Sequence, residues 1–425
     1  MPYFTRKRKR FWISLLSLSL VVMVVVRVYY NREIEVTAVV PAPTPSVVIV
    51  LPAKQEVSPV VVAPVIPKPS PSPIVPPPVT AKILNYNFGI SIGGLYSMNA
   101  KELDKKLSEL TTLGVGWVRF DMQWEEVQPK DSLHFEWSRV DRVIKALDAH
   151  NLRPLPILGY TPKWARLPEC VNSDKCAPAN ITQFGIFARE AAKRYSSQGV
   201  HVWEIWNEPN LKAFWRPEAN VSLYAELLKE SYVSIKSLDS SAIVMTGGMG
   251  PSDTKGGSIA PRDFLKQLYE QGARPYFDVV GYHPYSFPVT ALTVESWSGW
   301  SQMIDTNPSL RSIMQENGDA GKKIWITEVG APTGGPGAMA TLDDFNYSQH
   351  PDHVSEELQV GIFKDAVLQY EKYDWVGPLF WYTYKDLGVS KNTNENFFGL
   401  VRYDGSKKPA YEVFKNMIAS STAKE

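Results

Sequence analysis

Two acidic side chains stand at the ends of apolar, strand-like stretches of the sequence, where a carboxylate could do chemistry. Residues 203–210 read W-E-I-W-N-E-P-N, so an apolar run ends in Asn207 and Glu208. Far downstream, residues 324–330 read I-W-I-T-E-V-G and place Glu328 at a similar point. An unpaired buried carboxylate is costly, so such a group is paired, neutral or in a cleft. A helix cap or an arginine partner is the structural alternative for Glu208.

The stretches that carry these residues belong to a regular alternation that begins at Ile83. Short apolar runs alternate with amphipathic helical stretches over about 340 residues. The alternation predicts a closed (β/α)8 TIM barrel, whereas an open doubly wound sheet is the rival fold. No G-x-G-x-x-G follows the first strand, which disfavours a dinucleotide-binding version of that rival. The eight predicted strands span residues 86–92, 115–120, 153–158, 200–206, 242–246, 277–282, 323–327 and 376–382.

In a barrel of this kind the reactive groups gather where the strands end. Glu208 would follow the fourth strand and Glu328 would end the seventh, so both would face one mouth from roughly opposite sides. Two converging carboxylates with aromatic walls are what cleavage of a glycosidic bond needs. One of the two is kept protonated as an acid, and the other stays ionised.

The same motifs carry a family resemblance. W-N-E-P at residues 206–209 and W-I-T-E-V-G at residues 325–330 resemble the clan A glycoside hydrolases. V-R-F-D-M-Q-W at residues 118–124 and the run N-E-P-N-L-K-A-F-W at residues 207–215 are most similar to family 39 and nearby family 5 enzymes. The resemblance covers residues 84 to about 420. It implies a retaining glycosidase with an acid/base Glu on strand four and a nucleophile Glu on strand seven.

The resemblance also implies a role for each residue that matches a motif of the clan. These roles are Glu208 as acid/base, Glu328 as nucleophile, Asn207 at the sugar 2-hydroxyl, Arg119 beside the nucleophile, His283 and Tyr285 next to nucleophile and substrate, and Trp381 as the aromatic floor of the cleaved sugar's subsite. Trp215 is a further candidate, because a tryptophan in the loop after strand four could serve as a sugar platform.

Several of these residues also have a purely structural interpretation. Arg119 could simply pair with Asp121 or Glu204, and we interpret Glu204 as a structural partner of an arginine deeper in the barrel. His283 could be a satisfied core histidine. Trp215 could belong to the core.

The glutamate pair and the resemblance imply a carbohydrate substrate as the partner, and composition bears on the alternatives. The chain has 13 Trp and 20 Tyr, which favours a stacking cleft. Residues 1–83 carry ten Lys/Arg and three Asp/Glu, so the rest of the chain has a net charge of −6, which argues against nucleic-acid binding. The sequence contains no metal-binding motif and implies no cofactor. We expect a monomer.

The two glutamates weigh against the other functions considered. A catalytically silent carbohydrate-binding barrel would be indicated by loss of either glutamate, and both are present. An esterase would need an activated Ser or Cys, and no G-x-S-x-G is present. Transglycosylation by the same residues stays open.

The N-terminal region predicts a membrane anchor on a spacer. Residues 1–10 form a basic cytoplasmic tail, residues 11–30 a transmembrane signal anchor, and residues 31–82 a Pro-rich extracytoplasmic linker before the catalytic domain at 83–425. Thirteen prolines between residues 41 and 78 favour an extended spacer. The sequence therefore predicts a single-pass cell-membrane protein with an extracytoplasmic catalytic domain. A cleaved signal peptide is the alternative for the anchor.

Two cysteines, Cys170 and Cys176, are the only ones in the chain. Outside the cytoplasm they could form a small-loop disulfide. Free thiols are the alternative.

Overall fold

The computed structural model describes residues 84–343 and 351–421. Within this part of the chain, no helix combines the length and the apolar character needed to cross a membrane. The predicted basic tail, anchor and linker at residues 1–10, 11–30 and 31–82 lie outside the described residues.

The core of the fold is a closed barrel of parallel strands, as the alternating pattern predicts. Each strand pairs in parallel with the next, and the last strand pairs with the first. The strands are β1 Asn85–Ser91, β2 Val115–Gln123, β3 Arg153–Gly159, β4 Val202–Ile205, β5 Ile243–Thr246, β6 Val279–Tyr282, β7 Lys323–Val329 and β8 Val376–Tyr382. A short parallel pairing of Met339–Ala340 with His353–Val354 lies outside the barrel.

Helices alternate with the strands in the sequence. In the first helix, Ala100–Leu113, four leucines recur at helical spacing and are buried. They form the stripe of this helix that faces the core. Asn99 and Glu102 form a capping box at its start. The described helices are α1 Ala100–Leu113, α2 Trp124–Val127, α3 Ser138–Ala149, α4 Ile181–Tyr195, α5 Val221–Lys236, α6 Pro261–Glu270, α7 Gly299–Ile304, α8 Leu310–Glu316, α9 Glu356–Lys372 and α10 Pro409–Ser420.

A separate apolar cluster fills the barrel interior below the residues at the C-terminal ends of the strands. It joins alternate residues of several strands, among them Trp117, Trp325 and Phe380, whose side chains are 6% exposed or less. Because side chains in a strand alternate between the two faces, residues two positions further along these strands also face the interior. Arg119, Thr327 and Tyr382 therefore lie directly above this apolar layer.

An irregularity in β7 changes which side chain faces the interior near its end. Leu379 of β8 pairs with Ile326 and Trp381 pairs with Val329, so β7 has one more residue than β8 between these pairs. An extra residue of this kind is a β-bulge, which re-aims a side chain and is common beside active sites. The bulge lets the consecutive residues Thr327 and Glu328 both face the barrel interior.

A disulfide links Cys170 to Cys176 in the loop after β3. The loop also holds the strand end, because the Thr161 amide donates to the Asp174 carbonyl at 2.9 Å and the Thr161 hydroxyl donates to the Cys176 carbonyl at 2.6 Å. The Arg216 amide donates to the Lys175 carbonyl at 2.9 Å, which ties the loop after β3 to the loop after β4.

We expect the purified protein to retain this disulfide, because the surrounding hydrogen bonds hold both cysteines in one short loop. Mass spectrometry of the unreduced protein should show a mass lower than that of the reduced form by two hydrogen atoms. The reduced and denatured protein is the control and should accept two alkyl groups. Two alkylatable thiols in the unreduced protein would count against the disulfide.

Candidate active site

Glu208 reaches the barrel mouth through an unusual backbone path after β4. Trp206 has φ of 73° and Glu208 has φ of 45°, left-handed values that are uncommon for residues other than glycine. The Glu208 amide donates to the Gly248 carbonyl at 3.0 Å, which fixes the turn. A Cβ at Gly250 would overlap the Glu208 carboxylate. The missing side chain at Gly250 therefore leaves room for the acid.

Glu328 lies opposite and receives hydrogen bonds from three sides. Tyr285 donates its hydroxyl to Oε2 at 2.9 Å, and Ser91 donates to Oε1 at 3.3 Å. The guanidinium of Arg119 also donates to Oε1. The Glu328 side chain is 14% exposed, so it is accessible from the cleft although its oxygens are bound. These contacts hold both oxygens of the Glu328 carboxylate in fixed positions.

Arg119 is the centre of the charge network. Its guanidinium binds Glu204 through two hydrogen bonds of 2.6 Å and 2.9 Å. It also donates to Asn207 Oδ1 at 2.7 Å and to the Ser91 hydroxyl at 3.0 Å. Burial alone would lower the pKa of Arg119, but Glu204 and Glu328 outweigh it and raise that pKa above its ordinary value. Arg119 therefore pairs with Glu204, its partner in the structural interpretation, and also with Glu328, the predicted nucleophile.

The orientation of Asn207 follows from its contact with Arg119. A guanidinium has only donors, so the oxygen of the amide must face Arg119. The amide nitrogen of Asn207 is then left for another acceptor at the cleft surface, where Asn207 is 7% exposed.

His283 is placed to orient the carboxyl group of Glu208. Its Nδ1 lies 2.9 Å from Glu208 Oε1, and its Nε2 lies 3.0 Å from the Thr327 hydroxyl and 3.5 Å from an Arg119 nitrogen. Arg119 can only donate, so Nε2 is the acceptor and Nδ1 carries the hydrogen that Glu208 accepts. Burial lowers the pKa of His283, although the contact with Glu208 opposes this shift. The imidazole is therefore neutral at neutral pH.

The environments of the two carboxyl groups differ. Burial raises the pKa of Glu208, and the negative charge of Glu328 raises it further, while His283 and Arg119 oppose the increase. Glu328 instead lies in direct contact with the Arg119 cation. Pairs of acids whose environments differ in this way divide into a proton donor and an ionised group.

The carboxylates also lie close together. One oxygen each of Glu208 and Glu328 and the Nδ1 atom of His283 all lie within 4.8 Å of one another. Three such ligand atoms could in principle hold a metal ion. Here, however, Nδ1 donates a hydrogen and so offers no lone pair, and the Arg119 cation already pairs with Glu328.

A cavity of about 840 Å³ opens above these residues. Its wall contains aromatic side chains and, beyond the pair just described, the carboxylates of Asp121 and Glu395. Trp297 lines the cavity and is 44% exposed, as a ring that stacks on a sugar would be. A second cavity of about 930 Å³ lies at the other end of the barrel, around Trp117 and Trp325, and none of the predicted site residues lines it.

The structure brings together most of the residues that the sequence singled out. Six of them form one contact network at the C-terminal ends of the strands: Arg119, Asn207, Glu208, His283, Tyr285 and Glu328.

The expectations for Trp381 and Trp215 are wrong. Trp381 is fully buried against Phe363 of α9, on the outer face of β8, because Phe380 and Tyr382 take the inward positions. Trp215 is also fully buried and packs against Trp206 and Tyr224. Neither ring lines the cleft, so Tyr382 occupies the position expected for Trp381.

Five further polar residues at or beside the cleft were not singled out as site residues from the sequence. Tyr160 follows β3 and binds Asp121. Burial raises the pKa of Asp121, although Arg119 and Tyr160 oppose the shift. Burial, with Glu328 nearby, also raises the pKa of Glu395. Ser91 at the end of β1 and Thr327 in the bulge complete the network. Strand-end position could have indicated Ser91, but nothing in the sequence marks Glu395, which lies in a loop.

The sequence and the fold are similar to those of known proteins. The family described as "Glycosyl hydrolases family 39" matches residues 105–331. A β-xylosidase of Geobacillus stearothermophilus is 23% identical over 308 residues, which are 66% of this chain and 55% of that enzyme. The chain thus spans about half the length of that relative.

Solved structures share the fold. A family 39 glycoside hydrolase from Bacteroides cellulosilyticus WH2 superposes with a TM-score of 0.60 at 22% identity, covering 79% of this chain and 64% of that one. A monomeric β-xylosidase from Caulobacter crescentus CB15 gives a TM-score of 0.57 at 18% identity, with 79% and 68% covered. Because the family match spans more than half of the sequence and includes both Arg119 and Glu328, the chain belongs to glycosyl hydrolase family 39.

Proposed function

We propose that the protein is a retaining glycoside hydrolase that works by double displacement. The separation of Glu208 and Glu328 is the observation that carries this proposal, since their nearest oxygens lie within 4.8 Å. Retaining enzymes hold their carboxyl groups about 5 to 5.5 Å apart, whereas inverting enzymes need roughly 6.5 to 9.5 Å to admit a water molecule. The spacing thus favours direct attack by a carboxylate.

Glu328 would attack the anomeric carbon while the glycosidic C–O bond breaks. Its contacts with Arg119 and Tyr285 fix the direction of its carboxylate oxygens. Glu208 would give its proton to the leaving oxygen in the same step. His283 binds Glu208 Oε1, so Oε2 is the oxygen that can carry this proton into the cleft.

In the second step a water molecule gives a proton to Glu208 and attacks the glycosyl-enzyme, which releases Glu328. The ester of Glu328 is neutral, so the charge that raises the pKa of Glu208 is gone in the intermediate. Glu208 can therefore change from acid to base without moving. The free amide nitrogen of Asn207 would hold the sugar 2-hydroxyl during both steps.

We propose β-xylosides as the first substrates to test, because two of the relatives described above are named β-xylosidases. The test is a panel of aryl β-glycosides and polysaccharides, followed by NMR of the first-formed sugar. A retained β-anomer supports the proposal, and an inverted anomer would overturn it. The presence of both carboxylates disfavours a silent binding barrel.

The fall in kcat/KM at alkaline pH is expected to follow the loss of the Glu208 proton. Burial raises its pKa above the ordinary value for glutamate, about 4.3, so the proton needed for catalysis persists to higher pH and is then lost. We expect kcat/KM to fall as pH rises through that pKa. The measurement is kcat/KM against pH with an aryl glycoside. If Glu208→Ala shows the same fall in kcat/KM at alkaline pH, the assignment of Glu208 as the catalytic acid is contradicted.

We further propose that residues 1–82 anchor the catalytic domain outside the cytoplasmic membrane, with residues 11–30 in the bilayer. Fractionation should then find the full-length chain in membranes, with the barrel cleavable by external protease. A variant that starts at residue 83 is the control and should be soluble. Recovery of a soluble native product that begins near Val39 would contradict the anchor.

A further inference from the structure

Three apolar residues form one wall of the catalytic cleft beside the acid, and we call them the apolar wall. They are Leu211, Phe214 and Pro251, which line the cleft and are only partly buried. Leu211 and Phe214 lie in the loop after β4, which also carries Glu208, and Pro251 lies in the loop after β5. Partly exposed apolar side chains that line a cleft are typical of a surface that binds an apolar group of a ligand.

The apolar wall adjoins the carboxyl group of Glu208. A Cβ at Gly250 would lie 2.4 Å from Glu208 Oε1 and 2.7 Å from Leu211 Cδ1, so these two atoms flank the same point. Pro251 follows Gly250 directly in the chain. The Leu211 amide also donates to the Glu208 carbonyl at 3.0 Å. A group attached to the oxygen that Glu208 protonates therefore lies close to the apolar wall.

The two glutamates indicate which part of a substrate meets this wall. Glu208 protonates the oxygen of the leaving group, whereas Glu328 attacks the sugar from the other side. The side chains that bind Glu328 are Ser91, Arg119 and Tyr285, and none of them lies in the loops after β4 and β5. In the barrel β4 and β5 are neighbours, and β4 lies opposite β8. The apolar wall thus lies on the Glu208 side, where the leaving group departs.

Hydrogen-bonding groups next to the apolar wall are already bound within the protein. The Asn210 side chain donates to the Gly250 carbonyl at 2.8 Å and accepts from the Gly250 amide at 3.0 Å. The Phe214 carbonyl accepts from the Trp206 indole N–H at 2.7 Å, and the Leu211 carbonyl accepts from the Phe214 amide at 2.9 Å. The wall therefore offers a ligand apolar surface rather than these polar groups.

The same contacts hold the apolar wall in place. Asn210 is fully buried and joins the loop after β4 to the loop after β5. Trp215, which follows Phe214, is fully buried against Trp206 and anchors the loop in the core. The wall is therefore formed before any ligand binds, which lowers the entropy cost of binding.

We propose that the apolar wall binds an apolar leaving group, so that the enzyme prefers aryl and alkyl glycosides to substrates whose leaving group is a second sugar. This inference rests on the proposed function. The leaving group would lie against Leu211 and Phe214, where the burial of apolar area stabilises the complex. A second sugar would bring hydroxyl groups that need hydrogen-bond partners, and the apolar side chains of the wall do not supply them.

The kinetic test uses methyl, n-butyl and n-hexyl β-xylosides, with the same three β-glucosides in parallel. Their leaving alcohols have similar basicity and differ in apolar area. We expect kcat/KM to rise by up to about fourfold for each methylene that the wall buries. Leu211→Asn and Phe214→Ser should each flatten this dependence. Leu238→Asn is the matched control at a partly exposed leucine outside the cleft and should keep the wild-type dependence.

A binding measurement separates this inference from the proposed function. Calorimetry with Glu328→Gln uses the same alkyl glycosides, xylobiose and cellobiose without turnover, and the thermal midpoint checks that each variant folds. Tighter binding with a longer alkyl chain, lost when Leu211→Asn is added, supports the inference even if no glycoside is cleaved. Affinity that does not change with chain length, or tighter binding of the disaccharide than of the hexyl glycoside of the same sugar, would overturn it.

Discussion

Glu328→Gln is expected to abolish turnover, with a loss in kcat on the order of 10⁴-fold or more. An amide cannot form the glycosyl ester, so the first displacement has no nucleophile. The fold should survive, because Arg119 keeps both hydrogen bonds to Glu204 and its contact with Asn207. The amide oxygen can still accept from Arg119. The measurement is kcat on the best aryl glycoside together with the thermal midpoint.

The matched control is Glu395→Gln, the same chemical change in another carboxylate that lines the cleft. It should slow the reaction far less, because Glu395 is not placed to attack the anomeric carbon. A 2-fluoro glycoside that traps the intermediate should label the wild-type protein on Glu328. A label on any other residue, or near-normal turnover by Glu328→Gln, would show that the nucleophile is misassigned.

The fold and the principal acids could be predicted because their signals are local and periodic. Parallel strands that alternate with helices point their C-terminal ends at one mouth, so Glu208 and Glu328 meet without any knowledge of the loops. The polar endings of otherwise apolar strands also marked Arg119 and His283. Each of these positions follows from where a strand ends.

Side-chain direction was harder to predict, and the error at Trp381 shows why. The end of β8 reads L-F-W-Y, in which every residue is apolar or aromatic. Such a run shows no alternation that could tell the inward face from the outward face. The register with β1 and β7 places Trp381 against α9 and turns Tyr382 into the cleft. Only the sheet pairing contains this information.

The bulge in β7 could not be predicted for the same reason. Strict alternation would send Thr327 and Glu328 to opposite faces of the strand. The extra residue between the pairs with β8 brings both side chains inside, where Thr327 binds His283 and Glu328 binds Arg119. The sequence contains no glycine or proline at this point to mark the bulge.

Loop residues were the least predictable part of the site. Trp215 lies in a loop, which suggested a surface role, but it packs between Trp206 and Tyr224. Glu395 lies thirteen residues beyond the end of β8 at Tyr382, yet it returns to the cleft wall beside that residue. Both positions depend on contacts between segments far apart in the sequence, and neither has a periodic pattern.

Glu208→Ala is expected to slow poor leaving groups by about 10² to 10⁴-fold and activated aryl groups much less. The first step needs a proton only when the leaving oxygen is basic, so a nitrophenolate can depart without Glu208. Hydrolysis of the intermediate still lacks its base, so kcat and KM should fall together for activated substrates. The measurement is a series of aryl glycosides of graded leaving-group pKa, with wild type as the reference.

Added azide should restore much of the lost kcat with activated substrates. Azide needs no general base, and truncation to alanine opens space for it beside His283, which loses its acceptor at Glu208. It would displace Glu328 from the anomeric carbon and give a β-glycosyl azide from a β-glycoside. Azide should not rescue Glu328→Gln, which forms no intermediate to intercept. An α-azide product, or equal rescue of both variants, would contradict the division of roles between the two glutamates.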